Sequence, residues 1–133
     1  MKVSTRQWLD FAKADLQNCN RILDDDFLTA IVAFHSQQAA EKSFKALIVE
    51  KGLAIPHIHS LVRLHNIVES ILDQPFDNRE LLSLDKVYTS SRYPCDIGMI
   101  ETGKPTIADA KEFYESAKNI FDVITKLIDN NTY

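Results

Sequence analysis

Residues 27–52, FLTAIVAFHSQQAAEKSFKALIVEKG, constrain the rest of the chain more than any other stretch. The run has no proline, and its one glycine stands at its end. Drawn as a helix, it carries apolar residues on nearly every side. That pattern belongs to a helix buried by several neighbours rather than one lying on a surface. Its middle is nevertheless polar: Gln37, Gln38, Glu41, Lys42 and Lys45. Buried polar groups need partners, so this block directs attention to whatever packs around it.

The neighbours are helical too. Ser4 followed by Gln7 predicts a capping box opening a helix that runs to about Leu23. Trp8, Ala12, Leu16, Cys19 and Leu23 share one face, widened by Leu9, Phe11 and Ile22. Asp15 falls inside that apolar stripe, either as an edge residue turned to solvent or as a half-buried carboxylate needing a cationic or amide partner. Asp24, Asp25 and Asp26 then place negative charge before the central helix, where the macrodipole favours it, and a solvated turn explains them better than a metal. Gly52 supplies a left-handed cap. Pro56 keeps residues 53–59 out of a helix, and Ser60 caps a third helix over 61–72 with Leu61, Leu64, Val68 and Ile71 buried. After a turn at 73–78, Asn78 caps a fourth helix carrying Leu81, Leu84, Tyr88 and, one turn on, Arg92. Pro94 disfavours helical geometry at Tyr93, which makes Arg92 nearly the last helical residue. Residues 93–105 form the longest irregular piece. Thr106 opens a final helix with Ile107, Ala110, Phe113/Tyr114, Ala117, Phe121, Ile124 and Ile128 at three-four spacing. The expected fold is all-α, an antiparallel up-and-down bundle of four to five helices.

Composition bounds the function. With 133 residues, 45% apolar and 26% charged, the chain fits one soluble globular domain over 1–133. A net charge of −4 argues against broad duplex-DNA binding. Cys19 and Cys95 form no paired motif and suggest reduced thiols. No apolar run approaches the roughly 20 residues that cross a membrane, and MKVSTRQW lacks a signal-peptide core. The expected setting is cytoplasmic.

Conventional catalytic motifs are missing. His57, His59 and His65 lie close in sequence, but no cysteine or acid follows at zinc-site spacing, so no metal or cofactor is expected. The serines sit in no nucleophile elbow, the glycines form no phosphate loop, and Asp109 and Glu112 read as first-turn dipole partners. The stripe Gln38–Glu41–Lys45 is more informative. Glu41 stands four residues before Lys45, the favourable order for an intrahelical pair. The stripe is either solvated or turned toward a cleft or second subunit, with Tyr88 and Arg92 as the other wall. Helix-terminal position alone accounts for an arginine at 92.

With those residues in view the chain resembles the HEPN family (higher eukaryotes and prokaryotes nucleotide-binding domains). The matching pieces are Trp8 with Ala14-Asp15-Leu16, Phe34 leading to Gln37-Gln38-Ala39-Ala40-Glu41-Lys42 and Lys45-Ala46-Leu47, His59-Ser60-Leu61, and Tyr88 leading to Arg92-Tyr93-Pro94. The resemblance spans nearly the whole chain. It implies a helical bundle that commonly forms homodimers, many members acting with a minimal nucleotidyltransferase as a toxin–antitoxin pair. Active members are metal-independent ribonucleases carrying Arg-x4–6-His, in which the arginine stabilises phosphate charge and the histidine handles a proton. Here the histidine positions after Arg92 hold Ile97, Gly98 and Met99.

The expectation is therefore a dimeric binding module, partner of a minimal nucleotidyltransferase, without the usual ribonuclease activity. Nucleotide or RNA would meet Gln38, Glu41, Lys45, Tyr88, Arg92 and Tyr93 in a cleft between the second and fourth helices. Arg92 and Lys45 would meet phosphate, and Tyr93 would stack on a base. The alternative is a ribonuclease using Arg92 with a non-standard histidine such as His59. A structural dimer whose stripe only fixes helix register is the third possibility.

Overall fold

The computed structural model describes residues 1–89, 98–100 and 103–130, and only the backbone of 88 and 89. Its helices are α1 (Val3–Ile22), α2 (Thr29–Glu50), α3 (Leu61–Val68), α4 (Asn78–Thr89) and α5 (Ile107–Asn130), with 3₁₀ turns at Asp26–Leu28 and Glu69–Ile71. Among the described residues there is no β-strand, only an isolated bridge between Ile100 and Gly103. The expected all-α up-and-down bundle is what forms. No helix among these residues is long and apolar enough to cross a membrane.

Helix α2 is the hub. It packs most extensively on α1 and α5 and also touches α3 and α4. Ala33, Ala39, Ala40 and Ala46 have no exposed surface and let neighbouring backbones approach; Phe44, Leu47 and Ile48 fill the space between. The faces turned to it follow from three-four spacing: Leu9, Ala12, Leu16 and Cys19 on α1, and Ala110, Tyr114, Ala117, Ile120, Ile124 and Ile128 on α5. Ile120 is buried in that stripe where the spacing predicts Phe121, which is half-buried beside it. Phe11, expected to widen the α1 face, is 63% exposed.

The predicted capping box at Ser4 and Gln7 does not form. Lys2 is the N-cap of α1 and makes no side-chain cap bond. The first turn is instead held by the far end of α2: Lys2 N and Thr5 Oγ1 donate to Glu50 Oε1 at 3.1 and 2.9 Å, and Lys2 Nζ donates to Val49 O at 3.0 Å. A carboxylate brought in by tertiary packing replaces the local cap. The Lys2 backbone donor, then Thr5, hold the Glu50 carboxyl below its usual range.

Gly52 behaves as expected. At φ 75° its N–H reaches Val49 O while Leu53 N–H reaches Ile48 O, a Schellman closure of α2. Ser60 Oγ accepts from Arg63 N, and Thr106 and Asp109 exchange reciprocal cap bonds at 3.0 Å. The α4 cap shifts by one residue. Asp77 accepts from Arg79 N, and Asn78 is already helical, because a carboxylate is the better acceptor for the positive helix end.

Cys19 sits under the α1–α2 seam, its thiol against Val32 O and Ser36 Oγ at 3.5 and 3.7 Å. Burial pushes its pKa from 9.0 up to about 11. The unfolded chain ionises this thiol near pH 9 while the folded chain holds its proton to about 11. Its stabilising contribution is therefore complete below pH 9 and falls as pH rises through that interval, by about 3 kcal/mol. Urea denaturation at pH 8 and pH 10.5 checks this. Cys19→Ala should flatten the alkaline slope relative to the parent.

Candidate functional site

The polar middle of α2 is not solvated. Glu41 and Lys45 side chains are 7% and 8% exposed, with Lys45 Nζ 3.0 Å from Glu41 Oε2. The ammonium also lies 5.7 Å from the Trp8 ring centroid, so α1 roofs the lysine and supplies a cation–π contact. Asp15 resolves as the half-buried carboxylate of the two readings. Its oxygens meet His35 Nδ1 at 2.9 Å and Lys42 Nζ at 2.7 Å.

The other Glu41 oxygen faces the loop between α2 and α3. His59 Nδ1 lies 3.1 Å from Glu41 Oε1, and Gln37 Nε2 donates to that oxygen at 3.4 Å. An ionised carboxylate only accepts, so Nδ1 carries the imidazole proton. Gln37 Nε2 also donates to the His59 carbonyl at 3.2 Å, and Gln38 Nε2 donates to Gln37 Oε1 at 2.6 Å. His59 is thus held at ring and backbone, while its side chain remains 50% exposed. It is the most exposed member of the polar cluster.

Helix α4 fixes the loop from the opposite side. Asp85 accepts from Ser60 Oγ, Leu61 N and Val62 N at 3.1, 2.6 and 3.3 Å, seating a carboxylate on the positive end of α3. Tyr88 follows Asp85 by three residues on α4, so it lies one turn beyond it. The Tyr88 side chain and all of Arg92 and Tyr93 lie outside the described residues, as does Cys95.

Of the residues singled out from sequence, the structure therefore joins Gln38 (through Gln37), Glu41, Lys45 and His59 in one network. His65 is apart from them, buried between Phe44 and Phe76 with Nε2 accepting from Phe76 N at 3.2 Å. His57 is exposed, and among the described residues no group of three or more histidine, cysteine, aspartate or glutamate side chains is placed to hold a metal ion.

Sequence reasoning missed His35 and Asp85, and it placed Gln37 in the polar block without assigning it a place in the site, although Gln37 stands four residues before Glu41. His35 stands seven residues before Lys42, on the same helix face, and that spacing was available. Asp85 had no local signal, because its partners lie 23 to 25 residues upstream.

A family model described as HEPN domain matches residues 5–127. The crystal structure of ST0689, an archaeal HEPN homologue, is similar with a TM-score of 0.70 and 27% sequence identity, over 96% of this chain and 99% of that one. No curated protein matches the chain.

Proposed function

The chain belongs to the HEPN family, and from that premise we propose that it is a dimeric module contacting a nucleotide or RNA around His59. In this reading it partners a minimal nucleotidyltransferase in a toxin–antitoxin-type pair and lacks the usual ribonuclease activity. The observation that carries it is the Glu41–His59 contact: a buried carboxylate of α2 orients a half-exposed imidazole in the loop before α3. Such a group donates to or accepts from a ligand without the entropy cost of being ordered first. Arg92 and Tyr93 follow α4 in sequence and would supply phosphate and base contacts.

The dimer has support at the start of α2 and in the 3₁₀ turn before it. Phe27, Ile31 and Phe34 recur at four- and three-residue intervals ahead of Gln38, and Phe27 and Ile31 are 83% and 38% exposed. An apolar helical strip left open in this way suits a second copy. Gln38, half-buried at the end of this strip, is left for ligand.

Loss of the Arg-x4–6-His pattern favours binding over cleavage. The second reading, a ribonuclease using Arg92 and His59, is favoured by the Glu41–His59 geometry, since a carboxylate-fixed imidazole tautomer is what proton transfer needs. Titration of single-stranded RNA and nucleoside monophosphates, scored by anisotropy and by gel, separates the two. Binding without cleavage is expected, weakened about tenfold or more in Arg92→Ala and in His59→Ala. Cleavage that disappears in both variants replaces the binding module with the nuclease. No binding of any of these ligands removes both. Copurification with a nucleotidyltransferase encoded beside this chain tests the partnership.

A further inference from the structure

Two helices hold the chain at His59. From α2, Glu41 Oε1 meets the ring at Nδ1, and Gln37 Nε2 donates to the His59 carbonyl at 3.2 Å. From α4, Asp85 takes three donors that come next along the chain. Ser60 Oγ and Val62 N donate to its Oδ2 at 3.1 and 3.3 Å, and Leu61 N donates to its Oδ1 at 2.6 Å. The peptide joining His59 to Ser60 is therefore gripped at its carbonyl by α2, and the chain just beyond it by α4.

Capping α3 does not require this second carboxylate. Ser60 Oγ already accepts from Arg63 N at 3.3 Å, which is the local cap. The first N–H groups of a helix have no partner within it and are commonly left to water. Here those of Leu61 and Val62 both go to one half-buried carboxylate from another helix. Bonds to an ionised acceptor are about twice as strong as neutral ones. Their joint product is a fixed position for Ser60, whose Cα stands about 3.8 Å from that of His59 across one planar peptide. A shift of Ser60 is passed directly to His59. On the other side, residues 53–58 form no regular structure.

Resting on the reading of His59 as the ligand contact, we propose that Asp85 is a positioning residue for that site. It sets the place of the imidazole through residues 60–62 without itself touching ligand. Glu41 selects the nitrogen that carries the proton, and Asp85 keeps the ring where Glu41 reaches it. With Nδ1 committed to Glu41, Nε2 is the nitrogen that ligand meets, already ordered. Without Asp85 the loop must be ordered when ligand arrives, and affinity falls by that cost. The coupling is reciprocal: ligand at His59 tightens the same grip, so the amides of Leu61 and Val62 exchange more slowly in the complex.

Anisotropy of a fluorescein-labelled octauridylate, with uridine monophosphate as competitor, tests this on the whole chain. Asp85→Asn keeps the side-chain volume and one acceptor oxygen. It is expected to weaken binding about five- to tenfold, but by less than about twofold in the His59→Ala background. Asp77→Asn is the control. It weakens the cap of α4 at Arg79 N, leaves residues 60–62 alone, and should bind as the parent does. Ser60→Ala removes one of the donors to Asp85 and should act in the same direction by a smaller factor; it carries the test if melting curves show Asp85→Asn unfolded. Without ligand, long-range ¹H–¹⁵N spectra of Asp85→Asn should show His59 exchanging its single Nδ1–H state for a mixture of tautomers, with His65 unchanged.

Three results overturn the proposal and leave the His59 reading standing: Asp85→Asn binding like the parent, Asp85→Asn losing the same factor with and without His59, or Asp77→Asn binding as weakly as Asp85→Asn. Each makes Asp85 a structural cap and no more. A parent protein that binds neither probe defeats the His59 reading and this role of Asp85 with it.

Discussion

Glu41→Ala is expected to destabilise the fold by about 3 kcal/mol, among the largest effects available from one substitution. The loss does not measure the attraction within the pair. Lys45 is left with its charge in a space 8% exposed, roofed by Trp8 and with no carboxylate opposite. His59 loses the acceptor of its Nδ1 proton and Gln37 loses one of its two acceptors. Glu41→Gln keeps an acceptor oxygen for these donors and should cost only about 1–2 kcal/mol. Replacing both partners, Glu41→Leu with Lys45→Met, should recover much of the loss, since apolar groups of similar volume require no partners. Urea denaturation of the four proteins reads this series. A Glu41→Ala protein within about 0.5 kcal/mol of the parent would mean that the pair is hydrated.

Gly98→Ala is expected to cost a similar amount by an unrelated route. Gly98 is buried at φ 76°, and a Cβ there would stand 1.7 Å from the carbonyl oxygen of Ala30 and 2.5 Å from its carbon. Both are backbone atoms in the first turn of α2, so no flexible side chain can move aside. Left-handed strain of about 1–2 kcal/mol adds to an overpacking cost of about 1–3 kcal/mol. Gly103 provides the matched control. Its φ is 101° but no atom lies within 4 Å of the position a Cβ would take, so Gly103→Ala should carry the backbone strain alone. Equal losses at the two positions would show that Gly98 does not rest against α2. The neighbouring bond from Thr29 Oγ1 to Pro105 O, 2.7 Å and buried, marks the same docking and should exchange faster in Gly98→Ala.

The bundle was legible because helix periodicity is a local property. The spacing of Leu9, Ala12, Leu16 and Cys19, or of Ala110, Tyr114 and Ala117, specifies both a helix and its inward face. The Gly52, Ser60 and Thr106 caps were legible for the same reason, each being settled within a few residues. Failures fall where a distant group replaced the local one. Ser4 lost its capping role to Glu50 at the other end of α2, and Asp85 caps α3 from another helix, which no window around residue 60 reveals. Phe11 follows the apolar pattern of α1 yet faces outward, because its place on the seam lies over Lys42 rather than over the core.

The site was half legible. The QQAAEK block identified the polar centre of α2, and the stripe reading named Glu41 and Lys45 as a pair. Periodicity gave no means of choosing between a hydrated stripe and a buried one. That choice depends on Trp8 and His59, which arrive from α1 and from the loop before α3. His59 was reached only as a substitute for a missing motif histidine, whereas its contact with Glu41 gives it a physical place in the cluster.

Ligand contact at the carboxylate-held imidazole is the centre of this account, and the side-chain nitrogens of His59 report on it directly. Long-range ¹H–¹⁵N spectra of the four histidines, recorded during titration with single-stranded RNA, should show His59 Nε2 moving with ligand while His65, buried between Phe44 and Phe76, stays in place. RNA that binds while the His59 resonances remain unchanged would contradict the account.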